Sequence, residues 1–245
     1  MVAWESSGSG TPLVLVHGLS EDRRAWDPLV PRLEGRFRVV RLDLRGHGDS
    51  PDADDYGALA MAGDVAAVVA EAGIDEPPLL VGHSLGAVVV TAYATSAPAR
   101  SVVNVDQPLR LGDFATALAP VADALRGPAF AETFAAVLDG LGHDGVPPES
   151  LEYLEARHRA ARQDVVLGVW EQVFTTPPEE LTALAASILA AVQVPYLAVH
   201  GSEPPPGYAD WLTAQQPGAR LEVWRGGHYP HLAEPDRFVE LLSSL

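Results

Sequence analysis

Cysteine and lysine are both absent from the 245 residues of this chain. The absence of cysteine excludes a thiolate nucleophile, a disulfide, a Cys-zinc site and an iron–sulfur cluster. The absence of lysine excludes a lysine Schiff base and a lysine-bearing phosphate loop. Only Ser, Thr, Asp, Glu, His and Tyr are therefore left for covalent catalysis.

Positive charge is also scarce, because 33 acidic residues outnumber 16 arginines and leave a formal net charge of −17. Nucleic acid and anionic membranes are disfavoured as partners, since binding to phosphate needs clustered positive charge. The N-terminal residues Met1–Glu5 have neither the basic region nor the apolar stretch of a secretion signal. We therefore expect a cytoplasmic protein, either a monomer or a homodimer.

Short apolar runs alternate with helical stretches over the first hundred residues and again near the C-terminus. The predicted strands are 12–16, 38–44, 79–81, 102–105, 195–200 and 220–224, and the predicted helices are 22–34, 59–72, 85–97 and 236–242. This alternation is typical of an α/β protein with a mostly parallel sheet flanked by helices. Residues 109–192 contain helical runs between proline-rich turns and no convincing strand, so we interpret them as a helical insertion. The core domain is then 1–108 and 193–245.

The segment Gly82-His83-Ser84-Leu85-Gly86 is a G-x-S-x-G motif that directly follows a predicted strand and begins a helix. Three further segments occur in the matching order, namely His17-Gly18, Asp43–Ser50 and Gly227–Pro235. With them the chain resembles the α/β-hydrolase family. The resemblance implies the α/β-hydrolase fold, a nucleophile elbow at Ser84, and a helical cap formed by 109–192 after the strand that the family counts as its sixth.

A serine hydroxyl is a poor nucleophile unless a base removes its proton during attack. Among eight histidines, His228 is the best candidate, because it lies in a Gly-Gly turn after the last predicted strand and is the first histidine of the family pattern. His231 is the alternative. A metal site at these two histidines has no accompanying ligand motif. We expect neither a metal nor a cofactor.

The acid of the triad departs from the commonest family pattern. Family members usually hold it in the turn after the seventh strand, where this chain has Pro204, with Glu203 one residue early. The other possible position follows the sixth strand, where Asp106 ends the run Val102-Val-Asn-Val105, which is apolar except for Asn104. Burial of this carboxylate without a partner would be expensive, and His228 would be that partner. This placement resembles lactone hydrolases of the zearalenone-degrading type. We assign Asp106, with Glu203 and then Asp210 as alternatives.

The resemblance implies an oxyanion hole made by the backbone N–H groups of Leu19 and Leu85. The predicted insertion also carries seven aromatic or histidine side chains, of which we expect two or three to face the pocket: Phe114, Phe130, Phe134, Tyr153, His158, Trp170 and Phe174. The predicted substrate-binding residues are Trp26, Tyr229, Trp170, Phe174 and Tyr153.

Together these features predict a serine hydrolase that cleaves a small carboxylic ester or lactone with an apolar body through an acyl-enzyme on Ser84. Two alternatives remain open. One is a ligand-binding protein that keeps the triad but turns over little. The other is a lyase, C–C bond hydrolase or cofactor-free oxygenase in which His228 acts as a base on the substrate.

Overall fold

The computed structural model describes residues 1–245 and contains a single seven-stranded sheet in the order β1-β3-β2-β4-β5-β6-β7. Its strands are β1 Trp4–Gly8, β2 Thr11–Val16, β3 Phe37–Leu42, β4 Leu79–His83, β5 Ser101–Val105, β6 Tyr196–His200 and β7 Arg220–Val223. Every neighbouring pair is parallel except β1 with β3. The predicted mostly parallel sheet is confirmed.

Strand β1 was not expected, because its sequence Trp-Glu-Ser-Ser-Gly has no apolar run. It lies at one edge of the sheet and pairs only with β3, so most of its side chains stay exposed or half-buried. An edge strand of this kind needs little apolar content. The strand before Asp106, which the family resemblance places sixth, is β5, the fifth in this chain.

Helices cover both faces of the sheet. They are α1 Val30–Leu33, α2 Ala58–Glu71, α3 Leu85–Tyr93, α11 Tyr208–Gln215, α12 Pro230–Ala233 and α13 Pro235–Ser243, with seven more, α4 to α10, between β5 and β6. The predicted continuous helix over 22–34 is wrong. It is divided into a 3₁₀ turn at Arg23–Trp26 and the short α1, since Pro28 lacks the N–H that a continuous helix would need.

The strands are buried on both sides, which explains their continuous apolar sequences. Val14 and Val16 of β2 belong to a core that includes α2 and α3, whereas Leu13 and Leu15 belong to a second core that includes α1 and α13. Successive side chains of a strand point to opposite faces, so one apolar run supplies both cores. The sheet is thereby held rigidly between two helical layers.

The segment between β5 and β6 is entirely helical in its regular structure. Its helices are α4 Leu111–Leu118, α5 Ala122–Arg126, α6 Phe130–Asp139, α7 Pro148–Arg159, α8 Gln163–Val169, α9 Glu171–Thr175 and α10 Pro178–Ala191, with a 3₁₀ turn at Ala119–Val121. All of them lie within the predicted insertion 109–192. Phe134 and Leu189 belong to the same buried cluster as residues of α2 and α3, so this segment packs against the core that these two helices form with the sheet. Its status as a separate cap domain stays a prediction.

None of these helices combines the length and the apolar character needed to cross a bilayer.

Candidate active site

Ser84 occupies a sharp turn between β4, which ends at His83, and α3, which begins at Leu85. Its backbone has φ +50° and ψ −118°, a conformation that L-residues rarely adopt. A Cβ on Gly82 would lie 2.2 Å from the backbone of Gly86, and a Cβ on Gly86 would lie 2.2 Å from the carbonyl oxygen of Val16. Both glycines are therefore required for the close strand–helix packing that holds Ser84 in this turn.

His228 and Asp106 are brought together by the ends of β7 and β5. The Nδ1 atom of His228 lies 2.7 Å from Oδ2 of Asp106, and the other carboxylate oxygen, Oδ1, accepts the N–H of Gly201 at 2.9 Å. A carboxylate only accepts, so Nδ1 carries the hydrogen, and in the neutral ring Nε2 carries the lone pair that can accept a proton. Burial acts to raise the pKa of Asp106, but the bonds from His228 and Gly201 outweigh it and lower that pKa. The carboxylate is ionised at neutral pH.

The loop that carries His228 is fixed by contacts with two other loops. The N–H of His228 donates to the carbonyl of Gly142, after α6, at 2.8 Å. The N–H of Gly227 donates to the carbonyl of Gly201, after β6, at 3.2 Å. Gly227 has φ +55°, and a Cβ there would lie 2.3 Å from the backbone of Gly142. The position of the imidazole therefore depends on a glycine–glycine approach between this loop and the helical segment.

Glu203, the alternative acid, is exposed on the loop after β6. It lines the same cavity as His228, but the imidazole Nδ1 is bonded to Asp106 instead. His231, the alternative base, is fully buried beside the rings of Trp26 and His83, and it does not line the cavity. The structure thus places Ser84, His228 and Asp106 in the wall of one cavity, with His228 bonded to Asp106, and their catalytic roles stay predictions. Asp210 is exposed on α11 and lies outside the cavity lining.

Leu19 and Leu85 are both at the cavity wall beside Ser84. Leu85 is the first residue of α3, so its N–H has no acceptor inside the helix. Leu19 follows β2, and its neighbour Ser20 has φ +66°, which turns the chain sharply at this point. The contact of Gly86 with Val16 places the start of α3 against this loop. Both residues therefore lie at the cavity wall with Ser84, and the oxyanion hole made by their amides stays a prediction.

A cavity of about 390 Å³ contains Ser84, Asp106 and His228 in its wall. Much of the remaining wall is apolar and comes from the helical segment: Leu111, Phe114, Val137, Leu138, Leu141, Val169, Trp170, Val173 and Leu181. Of the seven aromatic or histidine side chains singled out in that segment, Phe114, His158 and Trp170 face the cavity, and Tyr229 lines it from the histidine loop. Cavities of this size and character bind small, largely apolar molecules.

Three of the predicted substrate-binding residues lie elsewhere. Trp26 is 1% exposed and belongs to the core beneath the sheet, where the 3₁₀ turn directs it. Tyr153 donates its hydroxyl hydrogen to Asp22, outside the cavity lining. Phe174 packs edge-on against Trp170 and stacks under the guanidinium of Arg126. Helical spacing and proximity in sequence therefore did not predict whether these three side chains point into the cavity.

Glu21, which is only 2% exposed, lines the cavity although no sequence motif predicted it there. Tyr56 and Gln107 also contribute polar groups to the wall and were not predicted. Glu21 follows the His17-Gly18 motif by three residues, and a charged residue so close to an oxyanion loop is the only signal that could have drawn attention to it. No group of three or more His, Asp or Glu side chains is arranged to hold a metal ion.

The model of the alpha/beta hydrolase family matches residues 13–241. The pimeloyl-[acyl-carrier protein] methyl ester esterase of Aeromonas hydrophila is 28% identical over 98% of this chain and 97% of its own. The protein of the same name from Methylococcus capsulatus is 43% identical, but over only 38% of this chain and 35% of its own length.

Among solved structures, Est816, described as an N-acyl homoserine lactone degrading enzyme, superposes with a TM-score of 0.75 at 25% identity and covers 100% of this chain and 96% of its own. An esterase from Exiguobacterium antarcticum gives a TM-score of 0.78 at 22% identity, covering 99% and 94% respectively, which shows a common fold. The strand order, the turn at Ser84 and the match of the family model over residues 13–241 all point to the same family. The chain belongs to the alpha/beta hydrolase family.

Proposed function

We propose that the protein is a serine hydrolase that cleaves an uncharged carboxylic ester or lactone through an acyl-enzyme on Ser84. The observation that carries the proposal is the strained Ser84 at the wall of a cavity that also holds the hydrogen-bonded pair of His228 and Asp106. Relatives named as a methyl ester esterase and a lactone-degrading enzyme support the ester or lactone bond as the target.

In the proposed reaction, Nε2 of His228 takes the hydroxyl proton as Oγ of Ser84 attacks the substrate carbonyl. The negative charge that forms on the carbonyl oxygen is received by the N–H groups of Leu19 and Leu85. The imidazolium then gives its proton to the leaving alcohol oxygen, and the acyl group remains on Ser84. Water activated by His228 hydrolyses this ester and restores the enzyme. Asp106 fixes the tautomer of His228 and stabilises its charged form.

The wall of the cavity also favours substrates without negative charge. Five carboxylates line it, at Glu21, Asp55, Asp106, Glu171 and Glu203, and no arginine does. An anionic substrate would therefore meet like charge without a partner to compensate its lost hydration. An uncharged ester or lactone with an apolar body fits this wall best.

The test of the reaction is release of 4-nitrophenol from a short neutral 4-nitrophenyl ester, followed with labelling by a fluorophosphonate. We expect a burst of about one equivalent per chain, and covalent labelling that disappears in Ser84→Ala. Ser187→Ala is the matched control, because Ser187 is exposed on α10 and bonds only within its own helix. Saturable binding without burst or labelling would contradict the proposal, and substantial turnover by Ser84→Ala would point instead to base chemistry by His228.

A further inference from the structure

Behind Ser84 lies a buried ionic pair that the proposed reaction steps do not use. His83, the last residue of β4, is 1% exposed, and Glu21 is 2% exposed. Nδ1 of His83 lies 3.3 Å from Oε2 of Glu21, and Nε2 of His83 lies 2.8 Å from the carbonyl oxygen of His228. The same Oε2 atom accepts the N–H of Gly18 at 2.9 Å. We call Glu21 and His83 the elbow pair.

The partners of His83 fix its protonation. A carbonyl oxygen can only accept a hydrogen bond, so Nε2 of His83 must carry a hydrogen. An ionised carboxylate likewise only accepts, so Nδ1 must carry a hydrogen as well. A neutral imidazole has a single N–H and could meet both partners only if Glu21 were protonated. Because Oε2 of Glu21 also accepts the N–H of Gly18, the geometry favours an ionised Glu21, with His83 as its imidazolium counter-ion.

The surroundings agree with this charge state. Burial acts to lower the pKa of His83 and to raise that of Glu21, but their mutual attraction outweighs both effects, so the pKa of His83 is raised and that of Glu21 is lowered. The other groups that face His83 are His228, Tyr229 and His231, whose rings lie 4.6, 5.0 and 5.0 Å from its own, with the carboxylate of Asp106 behind His228. Burial, and then the charge of His83, hold the pKa of His231 well below its usual range.

We propose that the elbow pair is permanently ionised and positions both halves of the catalytic machinery. Glu21 holds the oxyanion loop by accepting the N–H of Gly18. His83 holds the histidine loop by donating to the carbonyl oxygen of His228. Because His83 also precedes Ser84 directly, the pair connects the nucleophile, the oxyanion donors and the base. Glu21 and His83 act through these groups and are positioning residues. The catalytic part of this inference rests on the proposed hydrolase function.

The charge state can be tested on the resting protein by ¹⁵N NMR of the imidazole side chains at pH 7 to 8. We expect both nitrogens of His83 to carry hydrogen, with the signal identified by its loss in His83→Gln. His47 is the internal control: it is also buried, its Nδ1 bonds the carbonyl of Arg45 and its Nε2 has no partner, so one nitrogen should be bare. A His83 spectrum with one bare nitrogen at pH 7 would overturn the pair.

The positioning role is tested by Glu21→Gln, which keeps an acceptor for Gly18 but removes the charge. We expect kcat for a neutral ester to fall about 10- to 100-fold while KM changes less than threefold, and His83 to lose one proton near neutral pH. Asp22→Asn is the matched control, because Asp22 is a buried, ion-paired neighbour in the same loop without contact to Gly18 or His83. It should keep kcat within threefold.

Unchanged kcat in Glu21→Gln, with His83 shown to have lost its proton, would contradict the positioning role. An equal loss in Asp22→Asn would contradict it too, since a general disturbance of the loop would then suffice. If the wild-type protein hydrolyses no ester, the proposed function fails, whereas the ionic pair is still decided by the NMR spectrum.

Discussion

Asp106 is held in a defined orientation, because its two carboxylate oxygens bind two different partners. One fixes the imidazole of His228 and the other the amide of Gly201. Its positive φ of 52° is rare for a residue other than glycine and turns the carboxylate at the end of β5 towards β6 and His228. Backbone strain, burial and hydrogen bonding thus coincide at one side chain.

We expect Asp106→Asn to lower kcat/KM by about 10³- to 10⁴-fold with little change in folding, because an amide can no longer hold His228 in the required tautomer. Glu203→Gln should cost less than about tenfold, since Glu203 does not contact the imidazole. Steady-state kinetics with a neutral 4-nitrophenyl ester would measure both changes. If Glu203→Gln proved the more damaging, the acid would be Glu203.

At the scale of elements, the site depends on how closely the loops approach. The loop of His228 contacts the loop after α6 through Gly227 and Gly142, and α3 contacts the end of β2 through Gly86 and Val16. No side chain could be added to Gly227 or Gly86 without moving backbone. The positions of the base and of the oxyanion donors are therefore set by packing between elements.

Gly227→Ala tests this packing. The added Cβ would meet the backbone of Gly142 at 2.3 Å and push the histidine loop away, so we expect kcat to fall by at least about 100-fold. Gly73→Ala is the control, because Gly73 also has positive φ, at +61°, but has open space around its Cβ position. It should lose about 1 kcal/mol of stability and keep its activity. Equal activity of the two variants would argue against a positional effect.

The elements were predictable where sequence pattern and burial coincide. The mostly apolar runs of β2, β4, β5 and β6 were recognised, because strands buried on both faces have no polar alternation. The edge strand β1 was not predicted, because it forms by pairing with β3 and has no apolar pattern of its own. The break at Pro28 was not predicted, because the apolar spacing of a helix continues across this single proline.

The site was predictable in its motif residues and not in what surrounds them. Ser84, His228 and Asp106 follow from strand ends and loop signatures. The elbow pair, in contrast, joins residues 62 positions apart, one in the loop after β2 and the other at the end of β4. Trp26, Tyr153 and Phe174 were assigned to the wall because aromatic residues near the site were expected there. Which way such a side chain turns depends on packing between helices, and the sequence pattern does not contain it.

At the scale of the whole molecule, histidine burial couples stability to pH. His17, His47, His200 and His231 are all buried, and burial is the main reason that their pKa values are lowered, to about 3 for His47. In the unfolded chain a histidine titrates near 6.5. Between these values the unfolded state binds protons that the folded state does not, so stability rises with pH in this range.

We therefore expect the free energy of unfolding, measured by urea titration, to fall as the pH is lowered from 7 to 5. His47 alone should contribute a loss of about 2 kcal/mol over this interval. In His47→Gln the slope of the free energy against pH should decrease by up to one proton, about 1.4 kcal/mol per pH unit. A slope that is the same in the variant and the wild type would show that His47 does not remain neutral on folding.

The net charge of −17 should act on substrate choice in the same direction as the carboxylates of the cavity. We expect kcat/KM for 4-nitrophenyl butyrate to exceed that for the 4-nitrophenyl monoester of succinic acid by at least about tenfold, roughly 1.4 kcal/mol. The ratio should shrink as salt is added, because surface charge is screened over about 8 to 10 Å. The double variant Glu171→Gln, Glu203→Gln should lower the ratio of the two kcat/KM values further. A preference for the anionic ester would reject the uncharged substrate class.

The bond from the N–H of His228 to the carbonyl of Gly142 has a consequence for protein engineering. The helical segment between β5 and β6 supplies most of the apolar wall, so it is the natural part to exchange when a new substrate range is sought. It also supplies the acceptor that holds the base. A chimera that imports this segment from a relative will alter catalysis as well as selectivity, unless the graft keeps a glycine carbonyl opposite His228.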